Sequence, residues 1–565
     1  MELFLSLPEP APSADTRDIP TNPAKIKKWL ENLPMLNASD AGHEVHKTLM
    51  MINRVDIDPD DRLKIMELFR EPVRLITDKL QRSYAGLPLP LPEKHSLTAE
   101  QVRHFHIEMA HGYKHVIQDA YNKAKSKLSG RQAARLALPI QRAIRYLTAT
   151  LMHSYQFYAP YPTGTWKQLH SLYHFSEETG IIGMPVDDAF NQATSHSSID
   201  HVYKQALLLD LSDPYHLPSR MIIKINHYLD LMAPMARLSP TPDSQIGENC
   251  QFLINLESDL AGLVYIDENQ KLDPASTRLL ITLELARGIH AQLTALQGGK
   301  RPADQGLGEN FFDNLAREML VRLINSWGVN PKRVFPRKMT AGAQIEAAFG
   351  LDAAVHFVND GKPVRTSSEF MGPFQQRTRI GTLYAMPDRT LSETGKTTDI
   401  DSGKTQQPGP SFICSAWDIL DESAGGLAAE KASKSLAQVR VGELMVFRTV
   451  GEKRLYSIGT IRWMRNTGPD KMEVGIQRLA PSGTAVKIKT LEAPREESEF
   501  MPAIFLSEIP ALKQAKTLIA PRGIFRPDRF IYIDDGQSFR RAVAHKLVEV
   551  TGSYERFTFS LPGFD

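Results

Sequence analysis

The sequence predicts a multidomain protein: an α-helical N-terminal half, built as a bundle or irregular solenoid, followed by an antiparallel β-barrel and a further small β domain. Three observations carry this reading. The 565 residues exceed the length at which one hydrophobic core stops growing, so several domains are needed. Apolar residues recur at helical spacing from Ala24 to Trp327, three or four apart, as one face of a helix requires. After Gly328 short strand-like runs bounded by turn residues take over. These changes divide the chain into a flexible tail over 1–22, a helical domain over 23–328, a barrel over 329–490 and a second β domain over 491–565.

Composition narrows the class. With 42% hydrophobic and 23% charged residues the chain is an ordinary folded protein, neither disordered nor membrane-embedded. A formal charge of +2 from 67 basic and 65 acidic residues gives no global field to hold a polyanion, which argues against a nucleic-acid polymer as partner. The two cysteines, Cys250 and Cys414, fall in different domains, so a stabilising disulfide is not expected and a cysteine-rich metal site is excluded. The start Met1-Glu2-Leu3-Phe4-Leu5 lacks a basic n-region, and apolar runs such as Ala206 to Leu209 are too short to span a bilayer. The expectation is a cytoplasmic protein without membrane insertion.

In the helical half, Asp58-Pro59-Asp60-Asp61 offers an N-cap, a proline at the first helical position and acids in the first turn, and predicts a helix to about Leu80. Thr98 and Gln101 read as a capping box opening a helix through Tyr121. Asp273-Pro274 predicts another start, with Leu283, Ala286, Ile289, Leu293 and Leu296 as its buried stripe and Gly298-Gly299 as its stop. Trp166, Leu169 and Tyr173 match the opening of a tetratricopeptide helix, but His170 stands where that repeat needs glycine. Two antiparallel helices around an aromatic pair account for the same residues.

One constellation in this half has metal-ligand chemistry. His104, Glu108, His111 and His115 lie along one helical face, and Glu108 with His111 forms a Glu-x-x-His pair. One helix face cannot surround a metal, and no second such pair occurs in the region. His170 and His174, then His43 and His46, are the remaining candidates to supplement it. The stripe therefore reads as a polar stripe whose histidines are hydrogen-bonded or half exposed, and no metal site is assigned.

In the C-terminal half, Gln344 to Val358 reads as one or two strands interrupted at Phe349-Gly350-Leu351-Asp352. Strand-like runs return at Ser411 to Leu420, Leu444 to Thr449, Leu455 to Arg465, Met472 to Leu479 and Thr484 to Ile488, a spacing that suggests a small barrel. About 387–410 is rich in Ser, Thr, Gly, Asp and Pro and reads as a flexible insertion. Thr517 to Ile519, Arg529 to Ile533 and Ala542 to Val550, with Tyr554, Phe557 and Phe559 after them, form the second β domain. Arg522, Arg526 and Arg529 there read as a solvated basic cluster.

Residues Ser411 to Pro481 carry a family resemblance. The run Trp417 to Ala428 contains Asp421-x-Ser423-x-x-Gly426, followed by Val441-Gly442-Glu443, Gly459-Thr460-Ile461-Arg462-Trp463 and Glu473-Val474-Gly475-Ile476-Gln477. In order and spacing these resemble the Asp-x-Ser-x-x-Gly segment and later strands of PilZ domains. Arg333 and Arg337 supply the Arg-x-x-x-Arg pattern that such domains carry before the barrel, although 84 positions separate Arg337 from Asp421. An alternative barrel start near Gln376 offers Arg377 and Arg379, which do not fit the pattern. Trp463 reads as a core residue.

The resemblance implies a PilZ-type barrel that binds cyclic di-GMP through Arg333, Arg337, Asp421, Ser423 and Gly426. Guanidinium groups suit this ligand, since they pair with phosphate, fork onto guanine O6 and N7, or stack on a base. It further implies no cofactor and no enzymatic activity. A receptor is expected whose nucleotide, held where the arginine linker meets the barrel, reorients a helical domain that contacts a protein partner, with an output in bacterial motility, pili or biofilm. Two alternatives are a scaffold with a non-binding barrel and a metal-dependent enzyme built on Glu108 and His111.

Overall fold

The computed structural model describes residues 3–11, 20–35, 37–124, 129–191, 193–246, 249–264, 272–307, 314–328, 338–339, 342–364, 412–432, 438–451, 455–468, 470–490, 499–510 and 514–561. The chain divides into two compact units. One comprises Met1–Arg337 with Glu430–Val441 and Arg462–Gly475, the other Lys338–Ala429 with Gly442–Ile461 and Ile476–Asp565.

The first unit is built on helices α1 (Pro23–Glu31), α2 (Ala38–Ile52), α3 (Pro59–Arg82), α4 (Glu93–Lys123), α5 (Gly130–Arg135), α6 (Ala137–Gln156), α7 (Thr165–Glu178), α8 (Ile199–Leu211), α9 (Ser219–Met232), α10 (Leu283–Gln297) and α11 (Asn314–Gly328). A hairpin of β1 (Val186–Asp187) and β2 (His196–Ser197) follows α7. Strands β3 (Arg237–Ser239), β4 (Gln251–Asn255), β5 (Leu263–Val264) and β6 (Thr277–Ile281) make a sheet in the order β3-β6-β4-β5. The core is continuous, with Phe69, Phe105, Tyr113, Trp166 and Trp327 buried in it. Leu3 joins that core, Phe4 N–H donates to the Ser171 hydroxyl and the buried Lys114 donates to the Ser6 carbonyl, so residues 3–6 are held by side chains of α4 and α7.

Helix α3 starts where its cap signals place it, with the Asp58 carboxylate accepting from Asp60 N–H. Two other starts differ. Helix α4 begins at Glu93, and Thr98 lies inside it with its hydroxyl donating to the Lys94 carbonyl. A Thr-x-x-Gln pattern does not separate a helix start from a mid-helix threonine bonded back one turn. Asp273 closes a turn by accepting from Ala275 N–H and leads into β6, so the helix begins only at Leu283. The run Leu279-Leu280-Ile281 is buried and pairs with β3 and β4, and this tertiary context overrides the capping signal. Gly298 ends α10 as expected.

The second unit opens with β7 (Lys338–Met339) and β8 (Gln344–Phe349), followed by helix α12 (Leu351–Val358). The sequence had suggested one or two strands over Gln344 to Val358 with a turn at Phe349 to Asp352. Gly350, at φ +95°, does turn the chain, but a helix follows rather than a strand, and Ala353, Ala354 and Val355 bury one face of it. The next strands are β9 (Ser415–Ser423), β10 (Gly426–Ala432), β11 (Leu444–Thr449), β12 (Ser457–Gly468) and β13 (Lys471–Ala480). Their order is β10-β13-β12-β11-β8-β9-β7, and β9 pairs back onto β10. Six strands therefore close a ring, with β7 extending from β9.

Strands β14 (Thr484–Thr490), β15 (Met501–Leu506), β16 (Thr517–Ala520), β17 (Phe530–Asp534), β18 (Phe539–Val550) and β19 (Glu555–Ser560) form a second closed barrel in the order β14-β15-β16-β19-β18-β17. Strand β14, grouped by sequence with the first barrel, thus opens the second. Helix α12 packs into a cluster shared by both rings, with Leu444, Val446 and Ile458 from one and Ile504, Leu506 and Tyr554 from the other. The predicted insertion at 387–410, together with Arg377 and Arg379, lies outside the described residues.

Candidate functional site

The hairpin of β9 and β10 gathers three of the five expected ligand-binding residues. Trp417, Ile419, Asp421 and Ser423 alternate along β9 and so share one face of it. The first two are buried and the last two partly exposed, so that face passes from the barrel core toward its rim. The Ser423 hydroxyl donates to the Gly426 carbonyl at 3.2 Å, closing the turn at Ala424-Gly425. Gly426 is required by close approach: a Cβ there would lie 2.0 Å from the Ile476 carbonyl oxygen and 3.1 Å from Gln477 Cα. Gly426 is the first residue of β10, set against β13.

Arg333 and Arg337 lie outside the described residues. The residues that follow Arg337 do not: Lys338 pairs with Glu422 and Met339 with Asp421, antiparallel, although more than eighty positions separate them in sequence. Sequence reasoning missed two charged neighbours. Arg478 on β13 donates through Nη2 to Glu422 Oε1 at 3.1 Å, and its backbone N–H donates to the Gly425 carbonyl at 2.9 Å. Glu422 lies inside the recognised run, and Arg478 follows directly on Gln477, so adjacency to the motif was the available signal.

Trp463, expected in the core, is only half-buried. Its indole lies against Gly475, where a Cβ would meet Nε1 at 1.8 Å, and its ring centroid is 6.4 Å from that of His216. These residues belong to the first unit, as do Asn466, whose N–H donates to the Tyr158 carbonyl at 2.7 Å, and Val439, which forms a β-bridge with Leu89. The outer part of the β12–β13 hairpin is thus folded into the helical body.

The histidine stripe on α4 resolves into a hydrogen-bonded cluster. Glu108 is buried and accepts from Asn53 Nδ2 at 2.8 Å, with His111 Nδ1 at 3.6 Å and Arg54 Nη1 at 3.5 Å. Burial alone would raise its pKa, but the proximity of His111, the hydrogen bond from Asn53 and the charge of Arg54 hold it below the usual value. Burial lowers His111 and takes His115 down to about 4. The rings of His104 and His46 stack at 6.0 Å. His170 has both ring nitrogens engaged, with the Tyr203 hydroxyl at 2.6 Å and the Leu260 carbonyl at 2.7 Å, and His174 lies 3.7 Å from Glu178. Among the described residues no group of three or more His, Cys, Asp or Glu side chains is placed to hold a metal ion.

A serine–histidine–aspartate chain stands on the β1–β2 hairpin, with Ser195 Oγ 2.8 Å from His196 Nδ1 and His196 Nε2 3.0 Å from Asp187. Asp187 is 93% exposed. Water therefore screens the carboxylate that a nucleophilic triad must bury to orient and charge its histidine, and the chain reads as surface hydrogen bonding. Among the described residues no helix is long and apolar enough to cross a membrane.

Comparison with known proteins agrees with this architecture. Three family models match in succession: "Cyclic-di-GMP receptor FimW, N-terminal domain" over residues 24–243, "Cyclic-di-GMP receptor FimW, middle PilZ domain" over 372–485 and "FimW C-terminal beta-barrel domain" over 486–562. The boundary at 485/486 falls within β14. A curated relative, the cyclic-di-GMP receptor FimW of Pseudomonas aeruginosa, is 25% identical over 594 aligned positions covering 98% of this chain and 93% of the relative. No solved structure matches the chain. With a helical N-terminal half, a closed six-stranded ring of which five strands, β9 to β13, fall under the PilZ match, and a second barrel after it, the chain contains a PilZ domain.

Proposed function

We propose that this chain is a cyclic di-GMP receptor rather than an enzyme, acting in the cytoplasm. The observation that carries the reading is the coincidence of the PilZ match with the closed ring whose β9–β10 hairpin groups Asp421, Ser423 and Gly426. The similarity along the chain to a protein described as a cyclic-di-GMP receptor supports it. In this reading Arg333 and Arg337 grip phosphate and guanine, Asp421 and Ser423 accept from guanine N–H groups or brace the arginines, and Gly426 keeps β10 close to β13. The pairing of Lys338 and Met339 with Glu422 and Asp421 favours Arg333 and Arg337 over Arg377 and Arg379, because the segment following them runs along the strand that bears Asp421.

The finer parts of the proposal are that nucleotide capture by the arginine segment and the hairpin reorients the helical half, and that this half contacts a protein partner in motility, pilus or biofilm control. A ligand shifts such an equilibrium only by its differential affinity for the two states. Fluorescence transfer between dyes on α3 and β18, with and without nucleotide, tests the reorientation, and an unchanged signal at saturation rules it out.

Titration of the full chain with cyclic di-GMP in a calorimeter tests the receptor reading itself. Binding is expected, and Arg337→Ala should weaken it by about 1–3 kcal/mol, the loss of one bidentate base contact. A wild-type chain that gives neither heat nor thermal stabilisation leaves the scaffold alternative standing instead.

A further inference from the structure

We propose that Arg478 is a further nucleotide-contacting residue that reads a guanine edge and sets selectivity for guanine over adenine; this rests on the receptor reading above. Backbone geometry fixes its location. Its N–H bonds to the Gly425 carbonyl in the turn between Ser423 and Gly426, and the missing Cβ at Gly426 lets β10 lie against Ile476 and Gln477 just before it. Arg478 therefore stands beside the hairpin that carries Asp421 and Ser423 by main-chain pairing, independent of any side-chain rotamer.

Its guanidinium is oriented and still has donors to offer. The central carbon sits 5.6 Å from the centroid of the Phe447 ring, and Phe447 is buried, so the planar group rests on a fixed apolar surface. Glu422 holds it from one side through a single N–H, the two side chains being 30% and 40% exposed. An exposed monodentate pair contributes little to stability; Nε is buried, so the Nη1 and Nη2 groups, of which Glu422 engages one N–H, are the part of the fork that can face a ligand. An arginine spends five donors in a rigid fork, and this site uses a small part of that capacity within the protein.

The chemistry then favours one partner. Guanine presents O6 and N7 as two acceptors that match a guanidinium fork, whereas adenine presents N7 beside an N6 amino donor, which an arginine cannot satisfy. Glu422 alongside supplies the complementary acceptor for guanine N1–H or the 2-amino group. Arg478 and Glu422 together form a donor–acceptor pair matched to guanine and mismatched to adenine.

The experiment measures affinities for cyclic di-GMP and cyclic di-AMP, by calorimetry and competition, in the full chain and in Arg478→Ala, Arg478→Lys and Glu422→Gln variants. Arg478→Ala should weaken cyclic di-GMP roughly 10- to 100-fold while leaving the weaker cyclic di-AMP affinity nearly unchanged. Arg478→Lys should keep the thermal unfolding midpoint yet fail to restore selectivity, since an ammonium cannot fork. Wild-type affinity in Arg478→Ala, or an equal loss for both nucleotides, overturns the assignment. A wild-type chain that binds neither nucleotide overturns the receptor reading and the assignment with it.

Discussion

Replacing Asp188 by alanine is expected to destabilise the helical unit by about 3–5 kcal/mol, the range for removing one partner of a buried ion pair. Asp188 has 0% side-chain exposure. Arg70 lies 3.3 Å from its carboxylate, Arg145 2.5 Å and Arg142 3.8 Å, while Gln141 and Ser197 donate to it at 2.8 and 3.1 Å. Burial would raise its pKa, but Arg145, then Arg142, Gln141 and Arg70, outweigh that and keep it below the usual carboxylate value. Alanine leaves three guanidinium groups converging on a site without counter-charge. Urea unfolding of the full chain, followed by tryptophan fluorescence, should show the helical transition at lower denaturant. A loss under about 1 kcal/mol would mean that the remaining acids, Glu67 and Asp230, which already pair with these arginines, absorb the charge and that the network is not centred on Asp188.

Gly426→Val should give the largest effect in the first barrel, at or above the roughly 1–3 kcal/mol typical of overpacking. The obstacle is backbone, the Ile476 carbonyl oxygen at 2.0 Å from the new Cβ, so no rotamer change relieves it. Strand β10 must move off β13, which breaks the ring where Ser423 closes its turn. Both the unfolding midpoint of the barrel unit and cyclic di-GMP binding should fall, and the alanine variant should suffer nearly as much because Cβ alone makes the clash. A valine variant with unchanged stability and affinity would show that β10 can shift without consequence for the hairpin.

How much of this was legible in the sequence depended on whether the governing contacts were local. The cap at Asp58-Pro59 and the stop at Gly298 are local, and α3 starts and α10 ends where these residues dictate. The barrel strands announced themselves by short runs between turn residues, and the Asp421-x-Ser423-x-x-Gly426 segment by its resemblance to PilZ domains. The start at Asp273 misled because strand or helix was decided by the partners β3 and β4, far away in sequence. Helix α12 was hidden because eight mostly apolar residues carry no length signal that separates strand from helix. Strand β14 was grouped with the wrong ring because the link from β13, Pro481 to Gly483, is as short as a hairpin turn. The charge network on Asp188 left no trace, since Arg70, Arg142 and Arg145 are between 43 and 118 positions away from it. Arg478 was missed for a different reason: in a strand that otherwise buries Val474 and Ile476 on the same alternation, one arginine looks like the end of a pattern.

Helix α12 and the apolar residues around it leave neither ring with a closed surface of its own. Ala348, Leu444 and Ile458 rely on Ile504, Ile519 and Tyr554 to keep water away, and the helix fills the space among them. The two barrels, although matched by separate family models, thus share one apolar cluster. A protein severed between Pro481 and Thr484 would expose that shared apolar surface on both fragments, where contiguous apolar patches invite association.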